Sequence, residues 1–450
     1  MTIRALLGGD ARPGSGLALA RAVAGSAGLR LGGMALGFLV GVQLARGLGT
    51  TGYGIYGMAM SIIALLTVPT ELGLPQLLTR EVASAQAKAD WARLRGVVGW
   101  SVRTVLWTSL LIATAIVAWT SGYGRDLMPG TNAALLAGLA LVPLTALGNL
   151  AGATLRGLHH VVRGQISEVV LRPAAFCALL FFASALSGPL TAPVAMALGS
   201  AAAGIALTAG LLMTLRRLPD EVLQVRSRVD AGAWWTSAVP MALTEGMRVL
   251  QAHLTILVLG LMAPAATVGV YRVASSTALL LAVPVTLFNI AAAPTLSRLH
   301  ALGDTHRLQR LLGGIAGGML IGVVLLWLPF LAAGESLIGL LFGPAYVASA
   351  APLAILGAGV AVSAFFGANA TLLNMTGHQH RVTRASSIAL VLLAALLPPA
   401  IWTGGAIGAA VASVLASTAW NVLLWHAART QLGQDTRVVA LLHGRHRDVA

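Results

Sequence analysis

Apolar residues dominate this chain in long unbroken runs rather than in alternation. Twelve runs are long enough to cross a bilayer, which takes about 20 residues per helix. They lie at 22–46, 53–77, 97–119, 132–155, 165–187, 191–214, 234–261, 268–294, 311–333, 346–373, 383–402 and 405–428. A membrane barrel would show short alternating segments instead. The pattern therefore predicts an all-α integral membrane protein with about twelve transmembrane helices. The first run has no small-residue cleavage site after a short apolar core and is read as a retained helix.

The polar connections alternate in character. On one side they are short, with 120–131 and 333–345 the longest. On the other side, 80–95 reads as an amphipathic interfacial helix, and 216–232 carries Pro219, Asp220 and Glu221 at the midpoint of the chain. The expected organisation is a first lobe of six spans over 1–215, a linker over 216–232, a second lobe of six spans over 233–428 and a basic tail over 429–450.

Composition sharpens this reading. Of 450 residues, 57% are hydrophobic and only 10% are charged, whereas soluble domains carry about 25% charged residues. That excludes a soluble globular chain. The net charge of +15 comes from 28 Arg and one Lys against 14 acidic residues. With the N-terminus inside, 22 basic residues fall in inner segments, 2 in outer connections and 5 within the spans. This asymmetry is the positive-inside pattern. It puts both termini in the cytoplasm and makes the charge a marker of topology, not of a nucleic-acid partner.

The halves of the chain resemble each other. Gly54-x-Tyr56-x-x-Ala59-x-Ser61 reappears as Gly269-x-Tyr271-x-x-Ala274-x-Ser276, a shift of 215, and Pro69 and Pro284 keep that shift. Gly157-x-x-His160-x-Val162 matches Gly377-x-x-His380-x-Val382 at a shift of 220. Six spans separate the copies, so the repeats share orientation, an arrangement found in transporters.

Further residues carry a family resemblance. The stretch Ala45-Arg46-x-Leu48-Gly49-x-x-x-Tyr53-Gly54-x-Tyr56-x-x-Ala59-x-Ser61-Ile62-Ile63, then Leu72-Gly73-Leu74 and Arg80-Glu81-Val82-Ala83, resembles the first helices of polysaccharide-type flippases. Pro240, Val268-Gly269-Val270-Tyr271 and Pro294-x-Leu296-Ser297 continue it. These flippases form a branch of the multidrug/oligosaccharidyl-lipid/polysaccharide (MOP) exporter superfamily. The resemblance implies a V-shaped transporter with two six-helix lobes around a central cavity. It implies transfer of an undecaprenyl-diphosphate-linked oligosaccharide from the inner to the outer leaflet of the bacterial cytoplasmic membrane by alternating access. Many relatives carry an acidic residue in the seventh helix about where this chain has His253.

Charge inside the spans marks the candidate site. An ionisable side chain at the bilayer centre costs about 2.5–3.5 kcal/mol on insertion scales and faces a bundle interior or a wet cavity. Arg30 and Arg248 lie well inside their spans, Arg172 a third of the way along the fifth and Arg272 near the outer end of the eighth. Guanidinium binds phosphate oxygens in bidentate fashion while staying charged. These four are the expected cationic lining for a diphosphate. Arg103 is only a turn or two from the inner surface and is expected to snorkel.

Glu245 and Arg248 are spaced i, i+3, and Glu168 and Arg172 i, i+4, so each set can pair on one helical face. Glu71, Glu168, Glu245 and His253 are thus candidates either for charge pairing or for binding a coupling proton or sodium ion.

Catalytic chemistry finds no foothold. Cys177 is the single cysteine, so no intramolecular disulfide, thiolate zinc site or iron–sulfur cluster can form. There is no Walker loop, nucleophile elbow or His/Cys metal spacing. No enzyme, cofactor or metal is expected; the partners are the lipid-linked substrate and membrane lipids, with transport driven either by a proton or sodium gradient or by substrate asymmetry. A drug or cation antiporter of the same superfamily and a lipid-linked peptidoglycan precursor flippase remain alternatives. A membrane polymerase or ligase would need larger outer loops than these.

Overall fold

A computed structural model describes residues 16–122, 129–186 and 189–440. Arg4, Arg12, Arg125, Arg445 and Arg447, and the tail from 441 on, lie outside the described residues. No strand occurs among the residues that are described. In chain order the helices are α1 (Gly16–Glu71), α2 (Leu74–Ala87), α3 (Trp91–Ser121), α4 (Pro129–Ala137), α5 (Leu141–Gly157), α6 (Arg163–Leu186), α7 (Ala192–Leu215) and α8 (Glu221–Gln224). They continue as α9 (Ala231–Met262), α10 (Ala265–Leu281), α11 (Val283–Ala301), α12 (Thr305–Phe342), α13 (Ala350–Phe366), α14 (Asn369–Met375) and α15 (Gln379–Leu432).

Eight helical stretches among the described residues are long and apolar enough to cross a membrane, or nine if the bent α4–α5 pair is one span. The protein is therefore a multi-pass membrane protein. Each expected run lies on helix, but not one run to one helix. α1 has 56 residues and α15 has 54, far more than the ~20 of a single crossing. Both are interrupted at a glycine in a conformation closed to other residues: Gly49 (φ 66°, ψ 178°) and Gly405 (φ 52°, ψ −123°). α9 covers the expected seventh run but is not among the eight stretches, because Glu245, Arg248, Gln251 and His253 dilute its apolar character.

Two sequence expectations are corrected. The segment 80–95 is not one interfacial helix. α2 ends at Ala87, Ala89 turns left-handed (φ 52°), and Asp90 caps α3 by accepting a bond from the Arg93 amide at 3.1 Å. The segment 333–345 is not an open loop. α12 runs on through a kink at Ala333 to Phe342, and a 3₁₀ turn follows at Pro344–Ser349.

The chain forms two compact units: Met1–Leu48 with Ile55–His253, and Gly49–Gly54 with Leu254–Ala450. In the first, Leu74, Leu77, Leu78, Val82, Leu94, Val97, Leu150 and Trp234 form a buried core. Small residues let its helices approach closely: a Cβ on Gly152 would lie 2.5 Å from the Gly164 carbonyl oxygen, and one on Gly164 would lie 2.6 Å from that of Gly152. The segment 225–228 is strapped to α3. The Arg228 amide donates to the Ala92 carbonyl at 2.9 Å, Arg95 donates to the Val225 carbonyl at 2.8 Å, and the Arg228 carbonyl fills the space where Gly96 lacks a side chain.

The second unit is held by apolar packing around Leu296, Leu312, Met319 and Leu424, and by a second cluster around Leu259, Tyr271, Leu397 and Ala409. Polar bonds cross between its helices. Asn369 donates to Asn421, Thr371 to Asn289, and Ser413 links Thr255 and Tyr271. Asp435 folds the chain back after α15. Its backbone amide donates to Gln309 at 2.8 Å, and its carboxylate accepts from Arg437 and from Trp425.

The repeat glycines meet in this unit. The Ala265 carbonyl occupies the place where Gly54 lacks a Cβ, and the Thr50 carbonyl occupies the equivalent place at Gly269. Thr50 and Ala265 are themselves separated by the repeat shift of 215. The second repeat pattern behaves differently. The left-handed residue that ends the helix is His159 in one copy and Gly377 in the other. The matching helix ends are therefore offset by 218 residues, not 220.

Candidate functional site

The charged candidates of the spans fall in both units. In the first unit, the Asn149 side-chain amide on α5 donates to Glu71 Oε1 at the end of α1, at 2.6 Å. Glu71 ends α1 because Leu72 (φ 47°) and Gly73 (φ 72°) are left-handed. A Cβ at Gly73 would meet the Ala238 carbonyl at 2.6 Å, so only glycine admits this approach of α9. Glu245 and Arg248 on α9, together with Glu168 on α6, act electrostatically on Glu71.

Both expected ion pairs form. Arg248 Nε donates to Glu245 Oε2 at 3.1 Å, with a second bond from Nη2 to Oε1. Arg172 Nη1 lies 3.2 Å from Glu168 Oε2. The Glu168–Arg172 pair sits on a π-helical turn, Ser167–Leu171, inside α6; such turns rotate the following side chains against the regular register. Glu168 Oε1 packs where Gly148 has no side chain and has no hydrogen-bond partner.

The five charges of this group are three carboxylates, Glu71, Glu168 and Glu245, and two guanidiniums, Arg172 and Arg248. Glu71 stands outside the two ion pairs, and Asn149 is bonded to it. The pairs differ in exposure: the Arg248 side chain is 70% exposed and that of Arg172 is 24% exposed. Arg248 can turn its outer face to a ligand while it keeps Glu245, whereas Arg172 is committed to Glu168.

His253 Nδ1 lies 3.1 Å from Ser61 Oγ. Ser61 is fully buried and spends its one hydroxyl proton on the Gly57 carbonyl at 2.9 Å, so His253 Nδ1 is the donor of the pair. Arg30 is exposed on α1.

Arg272 belongs to the second unit. Its guanidinium lies 5.2 Å from the centre of the Tyr53 ring, a cation–π arrangement. Tyr53 in turn meets Tyr346 edge to face at 6.3 Å. Among the described residues, no group of three or more His, Cys, Asp or Glu is placed to hold a metal ion.

The sequence candidates omit Asn149 and Tyr53. Asn149 was legible as a strong hydrogen-bonding side chain within an otherwise apolar run. Tyr53 was legible as the aromatic residue that opens the repeated glycine motif.

Residues 20–300 match a family described as polysaccharide biosynthesis protein. That is more than half of the chain. The chain belongs to this family. Among relatives, stage V sporulation protein B of Bacillus subtilis (strain 168) is 27% identical over 153 residues, 32% of this chain and 30% of that protein.

Among solved structures, an inward-facing multidrug resistance MATE family transporter of the MOP superfamily matches with TM-score 0.70 at 14% identity, over 94% of this chain and 98% of that one. The lipid II flippase MurJ, in an inward closed conformation, matches with TM-score 0.69 at 12% identity, over 94% of this chain and 90% of that one. A MOP superfamily transporter from Pyrococcus furiosus matches with TM-score 0.60 at 14% identity, over 95% of both chains. This member of the polysaccharide biosynthesis family thus has the fold of MOP superfamily transporters, and its structural neighbours are transporters and flippases.

Proposed function

We propose that the protein is a flippase that moves an undecaprenyl-diphosphate-linked oligosaccharide across the bacterial cytoplasmic membrane by alternating access, with both termini in the cytoplasm. The family match over residues 20–300 carries the reading. The charges within the spans support it. Arg248 presents an exposed guanidinium held from behind by Glu245, a geometry suited to a diphosphate. Arg30 and Arg272 are the further cationic contacts. Arg172 positions Glu168 rather than substrate. Glu71, held by Asn149, takes up the coupling proton or sodium ion.

The test is complementation. In a strain lacking the protein, Arg248→Ala and Arg30→Ala are expected to lose surface glycan at least about tenfold and to accumulate its lipid-linked precursor, at normal protein level. A tenfold loss corresponds to removal of about 1.4 kcal/mol of binding. Normal surface glycan from both variants would sink the cationic contacts. A second reading, a cation-coupled small-molecule antiporter, is favoured only by the unpaired carboxylate Glu71. Drug efflux that depends on Glu71 but not on Arg248 would select it.

A further inference from the structure

A groove runs along α3 in the first unit. Its first part, a cavity of about 470 Å³, is lined by Trp100, Arg103, Thr104, Trp107, Val229 and Trp235. Its second part, about 410 Å³, shares Trp107 and Thr108 with the first and continues past Leu110 and Leu111 to Thr114. The Trp107 side chain is 72% exposed and that of Leu111 70%.

The groove is a built surface. Trp100 lies 5.2 Å from Trp234 and 5.4 Å from Trp235, ring centre to ring centre, and this fixes one wall. The linker strap places Val229 at the rim through the Arg228–Ala92 bond. Thr108, which lines both parts, donates its hydroxyl to the Thr70 carbonyl at 3.1 Å.

At the rim, Arg103 is exposed, and its Nε is tied to the Gly99 carbonyl at 3.1 Å. Its terminal amino groups stay available. A guanidinium there meets an anion, and the surface beyond it meets hydrocarbon. The helix from Arg103 to Thr114 rises about 16 Å at 1.5 Å per residue, close to half of a hydrocarbon core of about 30 Å. The groove thus has the charge and depth of one lipid in one leaflet.

We propose that this groove is a binding site for an anionic phospholipid, with the phosphate on Arg103 and an acyl chain along Trp107, Leu110 and Leu111. Its lining shares no residue with the proposed transport site, and its occupancy is read without transport. The purified full chain is exchanged into mixed phosphatidylglycerol and phosphatidylcholine, and retained lipid is counted by native mass spectrometry. Wild type keeps phosphatidylglycerol in preference. Arg103→Gln keeps about fivefold less, as expected for the loss of one cationic contact, and Arg103→Lys restores most of it. Trp107→Ala loses both lipids from the site, while Trp402→Ala, on α15 of the other unit, changes nothing. In a parallel arm, phosphatidylglycerol with a brominated acyl chain quenches wild-type fluorescence more than that of Trp107→Phe. Equal phosphatidylglycerol retention by wild type and Arg103→Gln would overturn the proposal. So would a lack of preference over phosphatidylcholine, or displacement of phosphatidylglycerol by equimolar polyprenyl diphosphate, which would make the groove a substrate surface.

Discussion

Glu168 and Arg172 are four residues apart on a helix that lipid would not tolerate with one charge alone. Their ion pair is mostly shielded, with side-chain exposures of 16% and 24%. Removing one partner of such a pair leaves an uncompensated charge, a loss on the order of 3–5 kcal/mol, while replacing both by apolar residues is often neutral. Glu168→Ala is therefore expected to lower the melting temperature in detergent sharply, and Glu168→Ala/Arg172→Met to recover most of the loss. Equal melting of the single and double variants would show that the pair is not coupled.

Asp435 gives a pH test at the same scale. Burial pushes its carboxyl up, but hydrogen bonds from Arg437 and Trp425 outweigh that and hold it below the usual carboxylate range. A lowered carboxyl binds fewer protons folded than unfolded, so its contribution is present above the ordinary Asp value of about 3.9 and is lost as pH falls through the lowered one. Asp435→Asn should therefore destabilise the protein at pH 7 and lose that deficit as the pH is taken below 4. A deficit that persists unchanged in acid would assign the effect to packing.

At the scale of elements, spacing carried the ion pairs and hydrophobic runs carried the helices. The i, i+3 and i, i+4 spacings named Glu245–Arg248 and Glu168–Arg172, and both form. Long-range partners were not legible. Asn149 lies 78 residues from Glu71, and Ser61 lies 192 from His253; no local pattern announces such bonds. Helix ends were missed where a single backbone angle decides them. Ala89 carries no sequence signal for its left-handed turn, and 80–95 therefore read as one helix. Glycine breaks are the converse case. Gly49 lies at φ 66° and ψ 178° with open space around its Cα, so only backbone strain opposes a side chain there. Gly49→Ala is expected to cost about 1–3 kcal/mol, whereas Gly32→Ala, helical and equally open, should be neutral or gain about 0.5–1 kcal/mol. Urea or thermal unfolding of the two variants side by side checks the contrast, and equal stabilities would show that the Gly49 backbone does not require glycine.

Across the whole molecule, the distribution of Arg makes a topological prediction that the single cysteine renders testable. In a Cys177→Ser background, Ser227→Cys on the linker strap and His306→Cys at the start of α12 should react with a membrane-impermeant maleimide only after the cells are opened. Ser121→Cys at the end of α3 should react in intact cells. Labelling of Ser227→Cys from outside would invert the assignment.

The meeting of Gly54 with Gly269 has a consequence best put as symmetry. The carbonyl that faces Gly54 belongs to Ala265, the repeat counterpart of Thr50, whose own carbonyl faces Gly269. Residue i touches the counterpart of j, and j touches the counterpart of i. That is the rule of an isologous contact, the kind made by two identical subunits across a twofold axis. Within the second unit the 50–54 and 265–269 segments therefore meet as equivalent partners, and the two glycines are under the same constraint. What sterics forbid at either of them is forbidden at the other by the same backbone.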